Sequence, residues 1–163
     1  MRDGPVALVT GGAHGIGREV VRQLAERGMT VWLSAREGKA EPVAAELARA
    51  GLQVRPLELD VTSLESVEAA RDVIAAAGGL DVLINNAAAF SDWAETPSKA
   101  DLDVAAVVLE TNLFGPWRVT QALLPLLRAS AHPRVVMVSS GGGTHTDATF
   151  GLGATGGRSV SYG

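Results

Sequence analysis

Short, nearly unbroken apolar runs recur along the chain. Between them stand longer stretches whose apolar residues repeat every three or four positions. The runs are "PVALVTG" (5–11), "TVWLSAR" (30–36), "QVRPLELDV" (53–61), "LDVLINNAA" (80–88) and "RVVMVSS" (134–140). Runs of this length, rich in valine and leucine, predict strands. The stretch 16–28 places Ile16, Val20, Val21 and Leu24 on one helical face, with Gly28 as its stop. An Ala/Glu/Leu helix follows from about 40 to 50. "TSLE" (62–65) reads as a capping box opening a third helix, with Leu64, Val67, Ala70 and Ile74 facing inward. A long helix spans about 101 to 128.

Strands that are apolar on both faces are covered on both faces, which requires a parallel sheet with helices above and below. Regular βαβ alternation with right-handed crossovers then predicts an α/β, Rossmann-type doubly wound parallel sheet of order 3-2-1-4-5. At 163 residues and 47% hydrophobic the chain makes one domain, 1–163. Residues 141–159 carry seven glycines and no period, so 141–163 reads as a glycine-rich active-site loop and terminus.

A net charge of −4 and a pI near 5.3 give no electrostatic footprint for nucleic acid. The absence of cysteine removes disulfides and thiolate metal sites and fits a cytoplasmic protein. No apolar run approaches the ~18 residues that suggest a membrane span. The three histidines have no metal-ligand spacing and read as surface or loop residues, so no metal is expected. Trp32, Trp93 and Trp117 read as packing residues, although Trp93 follows the fourth strand, where a substrate wall can form.

Candidate chemistry starts at "TGGAHGIG" (10–17), between the first strand and first helix. Glycine permits a tight turn and a close approach of backbone to a pyrophosphate. The helix N-terminus adds N–H groups and partial positive charge. The spacing is T-G-x-x-x-G-x-G, with Gly11, Gly15 and Gly17. At the end of the second strand, where an acidic residue would select NAD, stand Arg36 and nearby Lys39. A guanidinium pairs with a 2′-phosphate, so NADP is favoured and NAD is the lesser alternative. Asp60 either accepts a bond from the adenine amino group, or caps the chain near Thr62, or does both.

"TGGAHGIG", "LDV" (59–61), "NNAA" (85–88), "ETN" (110–112) and "VVMVSS" (135–140) together resemble the classical short-chain dehydrogenase/reductases, in that order and at suitable intervals. With "SAR" the likeness is closest to NADPH-dependent carbonyl-reductase-like members. His14, where the extended branch of the family has glycine, argues against that branch. The resemblance implies an oxidoreductase moving hydride between nicotinamide and a small carbonyl or alcohol. It implies cofactor contacts from Gly11, His14, Gly15, Ile16, Gly17, Arg36, Asp60, Val61, Asn86, Ala87 and Ala88, and a catalytic set containing Asn112, Ser140 and Tyr162. Ala88 stands where the family has glycine. Of Asn85 and Asn86, one is expected to tie strands together and the other to line the cofactor cleft.

The family's tyrosine is followed four residues later by a lysine, a position beyond Gly163. The Ser140–Tyr162 interval is also longer than usual. The reading is therefore of a chain cut inside the Y-x-x-x-K motif, lacking the C-terminal strands and helices of a complete member. Such a chain is expected to turn over little by itself, to expose its fifth strand, and to lack much of the interface through which full-length relatives often oligomerise. The alternative is a non-catalytic dinucleotide-binding or partner-dependent fragment. Asn112 has two readings as well. Pro116 offers no N–H to its carbonyl, which then holds a water in a proton relay, or Gly115-Pro116 simply kinks the helix.

Overall fold

The computed structural model describes residues 4–92, 96–144, 146–149, 151 and 154. Five strands, β1 (Val6–Val9), β2 (Thr30–Ala35), β3 (Val54–Glu58), β4 (Val82–Asn85) and β5 (Arg134–Met137), form one sheet. Its order is β3-β2-β1-β4-β5 and every pairing is parallel, as the alternation of elements predicts. The helices are α1 (Gly15–Glu26), α2 (Ala40–Arg49), α3 (Leu64–Ala76), α4 (Leu102–Leu109) and α5 (Gly115–Arg128).

The strands' period of two separates the core into two layers. Val6 and Leu8 of β1 face a layer with Val67 and Ile74 of α3 and Val119, Leu123 and Leu127 of α5. Ala7 and Val9 face the opposite layer with Val21 and Ala25 of α1 and Ala44 and Leu47 of α2. Trp32 belongs to the first layer, 7% exposed, with the Arg55 guanidinium 5.5 Å from its ring centroid.

Each strand is shorter than the apolar run that announced it, because the run's last residues leave the ladder and become site residues. α1 also turns differently: its buried residues are Gly17, Val21 and Ala25, with Val20 and Leu24 partly buried, while Ile16 is 68% exposed. It ends at Gly28 as expected, with φ +85° and the Gly28 N–H on Ala25 O at 3.0 Å.

The expected capping box at "TSLE" does not form: the N-cap of α3 lies one residue later, and the return bond of a capping box is missing, because the Ser63 N–H goes to Asp60 O. Ser63 is the N-cap and its hydroxyl accepts the Ser66 N–H at 3.2 Å. Ser66 Oγ accepts the Asp60 N–H at 2.9 Å. Leu64 is exposed. Thr62 is not the cap; its amide and hydroxyl both donate to Asp60 Oδ1, at 2.9 and 2.7 Å.

The long helix is not uniform. Between α4 and α5 the chain makes a π turn, Glu110–Phe114, in which Gly115 N–H reaches Glu110 O. One residue is thereby inserted into the helical register at "ETN". Among the described residues β5 is an edge strand, and Val135 and Val136, on opposite faces, are 42% and 45% exposed. This matches the expectation of an uncovered fifth strand. No described helix is long and apolar enough to cross a membrane.

Candidate active site

The strand order reverses about β1, between β2 and β4, and a crevice opens there beyond the carboxyl ends of the strands. β1 and β4 are stitched together at this edge. The buried Thr10 hydroxyl accepts the Asn86 and Ala87 amides at 2.9 and 3.0 Å. In return Asn86 Nδ2 donates to Thr10 O at 3.0 Å and to Gly11 O at 3.2 Å. Asn86 thus lines the cleft and also ties β4 to β1, while Asn85 ties β4 to β5. Asn85 is buried beneath Asn86, its Nδ2 donating to Thr120 Oγ1 and Met137 Sδ, both at 3.2 Å.

Every residue expected to touch a dinucleotide lines one cleft of about 390 Å³: Gly11, His14, Gly15, Ile16, Gly17, Arg36, Asp60, Val61, Asn86, Ala87 and Ala88. The first turn of α1 faces it. His14 is the N-cap with no side-chain cap bond, and no acidic residue occupies that turn. The helix-end amides are thus left for an anion. The turn requires glycine at Gly17, where a Cβ would lie 2.3 Å from Gly11 O and 2.4 Å from Asn86 Nδ2. The residues present fit a dinucleotide: backbone forms the floor, and two basic side chains stand at one end. Arg36 follows β2, and the Lys39 N–H on Arg36 O at 3.2 Å closes the turn that brings both side chains to the cleft.

Asp60 lies across from them. Partial burial works against its charge, but the Thr62 amide and hydroxyl, with Arg36 and Arg118 nearby, outweigh it and hold the carboxyl below its ordinary value. A depressed folded-state pKa contributes stability above the unfolded value, about 3.9, and loses it as pH falls through the lower folded value. Asp60→Asn is therefore expected to flatten the acid limb of a melting-temperature profile below about pH 4. An unchanged limb would contradict this linkage.

A second cavity, about 560 Å³, adjoins the first and shares Ala87 and Ala88 as its wall. Asn112 and Ser140 both line it. Ser140 caps a 3₁₀ turn, Gly141–Gly143, its hydroxyl accepting the Gly142 N–H at 3.2 Å. Asn112 stands in the π turn, and its side chain pairs with both the N–H and the C=O of one residue, Ala89. Ala89 N–H donates to Oδ1 at 2.8 Å and Nδ2 donates to Ala89 O at 2.9 Å. The irregularity at Pro116 is thus a π turn that delivers Asn112 to the segment after β4, more specific than the kink expected.

Ala88 has negative φ, so the backbone accepts its methyl group. Trp117 departs from its expected packing role, being 58% exposed at the cavity rim. His14 and His132 are exposed, as read from the sequence. Tyr162, Trp93 and His145 lie outside the described residues. The sequence reading passed over Thr10 and Thr111. Thr111 lines the cleft, and its signal was its place inside the quoted "ETN". For Thr10 the signal was a hydroxyl directly after a wholly apolar strand.

Comparison with known proteins agrees with this geometry. Residues 5–152 match the short chain dehydrogenase family model. The chain is 40% identical to carbonyl reductase [NADPH] 1 of Rattus norvegicus over 85% of its own length and 50% of that protein. A crystal structure of an actinorhodin polyketide ketoreductase variant with NADPH superposes with a TM-score of 0.79 at 31% identity, covering 94% of this chain and 59% of that one. The 3-oxoacyl-[acyl-carrier protein] reductase from Brucella melitensis, in complex with NAD, gives a TM-score of 0.85 at 28% identity, with 99% and 62% covered. The chain spans about half the length of the curated relatives it matches. On motif order, sheet topology and these likenesses, the chain belongs to the short-chain dehydrogenase/reductase family, on its carbonyl-reductase-like side.

Proposed function

We propose that this protein is an NADP(H)-dependent oxidoreductase acting on a small carbonyl or alcohol, and that the present residues supply its dinucleotide cleft and part of its catalytic set. The carrying observation is the shared wall. Ala87 and Ala88 separate a basic, glycine-floored cleft from a cavity holding Asn112 and Ser140. A bound nicotinamide dinucleotide supplies or accepts the hydride. The work left to the chain is to bind, orient and manage a proton. The α1 N-terminus holds the pyrophosphate and Arg36, aided by Lys39, takes the 2′-phosphate. The Ser140 hydroxyl donates to the substrate oxygen, fixing its position and stabilising charge that develops there. Asn112, clamped to Ala89, sets the segment between cleft and cavity. Tyr162 is assigned proton transfer from the family likeness.

Cofactor choice is the finer part of this reading. One relative is named an NADPH enzyme, while solved neighbours hold NADP, NADPH and, in one case, NAD, so within this chain the argument for NADP rests on Arg36. Titration with NADPH and NADH, followed by nicotinamide fluorescence, tests it. The chain is expected to bind NADPH more tightly. Arg36→Ala is expected to weaken NADPH by about tenfold to a hundredfold, the scale of a charge-assisted pair, and to leave NADH nearly unchanged. Equal loss for both cofactors, or a native preference for NADH, would overturn the assignment.

A further inference from the structure

Arg118 belongs to neither cavity's lining, yet it touches the elements that form both. It lies in the first turns of α5, half-buried, with its guanidinium split between two acceptors. Nη1 donates to Val61 O at 2.7 Å and Nη2 to Glu110 Oε1 at 2.5 Å, so one planar group holds Glu110, in the turn before α5, and Val61, 57 positions before Arg118 in sequence. Val61 is a wall of the dinucleotide cleft. Glu110 opens the π turn, and the next two residues are Thr111, on that same cleft, and Asn112, in the adjoining cavity.

A second contact falls on the same spot. A Cβ on Gly115 would lie 2.8 Å from Val61 Cγ2, so the start of α5 rests directly on Val61. Packing of this kind sets the separation of two elements and leaves their relative rotation free. A forked guanidinium with fixed donor directions fixes the rotation. Its charge also acts on Asp60, beside Val61 in the same wall.

We infer that Arg118 is a positioning residue for dinucleotide binding, fixing the wall Asp60–Val61 against the π turn that carries Thr111 and Asn112. This rests on the dinucleotide reading above. The wall it holds is Asp60–Val61, whereas the 2′-phosphate is assigned above to Arg36 and Lys39. Its loss is therefore expected to weaken NADPH and NADH alike and to leave their ratio unchanged, whereas loss of Arg36 changes the ratio.

The test is a titration of the full chain and its Arg118→Met and Arg118→Lys variants with both dinucleotides, alongside melting temperatures without ligand. Arg118→Met is expected to raise both dissociation constants about tenfold, the scale of one charged hydrogen bond. Arg118→Lys, whose single ammonium cannot reproduce the fork, should fall between. Wild-type dissociation constants in both variants would overturn the inference, as would a change in the ratio. Failure of the unaltered chain to bind either dinucleotide would overturn the underlying reading, and the inference with it. If Arg118→Met does not fold, Arg118→Lys and Glu110→Gln decide the question on the same readout.

Discussion

Gly17→Ala is expected to weaken dinucleotide binding severely and to destabilise the fold. The added carbon would sit 2.3 Å from the Gly11 carbonyl oxygen and 2.4 Å from Asn86 Nδ2. Neither neighbour can yield cheaply. Gly11 is the turn itself, at φ +65°, and Asn86 is held by Thr10 O and Gly11 O. Overpacking against fixed atoms costs about 3 kcal/mol or more here, at the upper end of the usual range. That corresponds to a fall of roughly 6 to 12 °C in melting temperature for a domain of this size. Because the atoms displaced line the cleft, NADPH affinity should fall by at least about a hundredfold, the equivalent of ~3 kcal/mol. Gly15→Ala is the control. Gly15 has φ +53° and open space where its Cβ would stand, so its stability penalty is conformational, about 1 kcal/mol. Calorimetry that found the two variants equally stable would refute the close-contact argument.

These two glycines also mark what could be read before the structure. Sequence identifies a turn that needs glycine, since "TGGAHGIG" follows a strand and precedes a helix. It does not say which glycine is pressed against a neighbour and which faces open space, because the neighbour, Asn86, is some seventy residues away. The sheet order was legible for a related reason: continuously apolar runs alternating with helices admit few topologies. The positions of Asn112 and Ser140 in one cavity follow from motifs at the ends of neighbouring elements.

What escaped was register. A 3.6-residue period shows that 101–128 is helical, but it is blind to one inserted residue, so the π turn at Glu110–Phe114 appeared only as an awkward asparagine before a proline. The same blindness moved the α1 face from Ile16 to Gly17 and the α3 cap from Thr62 to Ser63. The first shift has a tertiary cause: Gly17 is buried because α1 lies on the Gly11 turn. At α3, the Thr62 amide and hydroxyl both donate to Asp60. Arg118 was invisible because nothing local distinguishes a helix arginine in solvent from one reaching Val61.

Thr10→Val should be the most damaging substitution that leaves side-chain volume nearly unchanged. Thr10 is 1% exposed, and its hydroxyl oxygen is the acceptor for two backbone amides, Asn86 N–H and Ala87 N–H. Its own proton goes to Ile84 O at 3.4 Å, a weak bond whose loss matters little beside the other two. A valine methyl group in place of the oxygen leaves both amides without this acceptor at the partly buried edge between β1 and β4. Each stranded donor costs about 1–3 kcal/mol, giving roughly 2–6 kcal/mol in all. Thr10→Ser keeps the acceptor and removes only a methyl group, so it should cost about 1 kcal/mol. The contrast between these variants isolates the hydroxyl from the packing. It also carries to function, because Asn86 and Ala87 are wall to the cleft and Ala87 is wall to the adjoining cavity. Thr10→Ser is expected to bind NADPH nearly as the unaltered chain does. Thr10→Val, where it stays folded, should bind measurably more weakly. Chemical denaturation that placed the two variants within about 1 kcal/mol of each other would show that the amides find other partners and that the Thr10 hydroxyl adds little to the β1–β4 pairing.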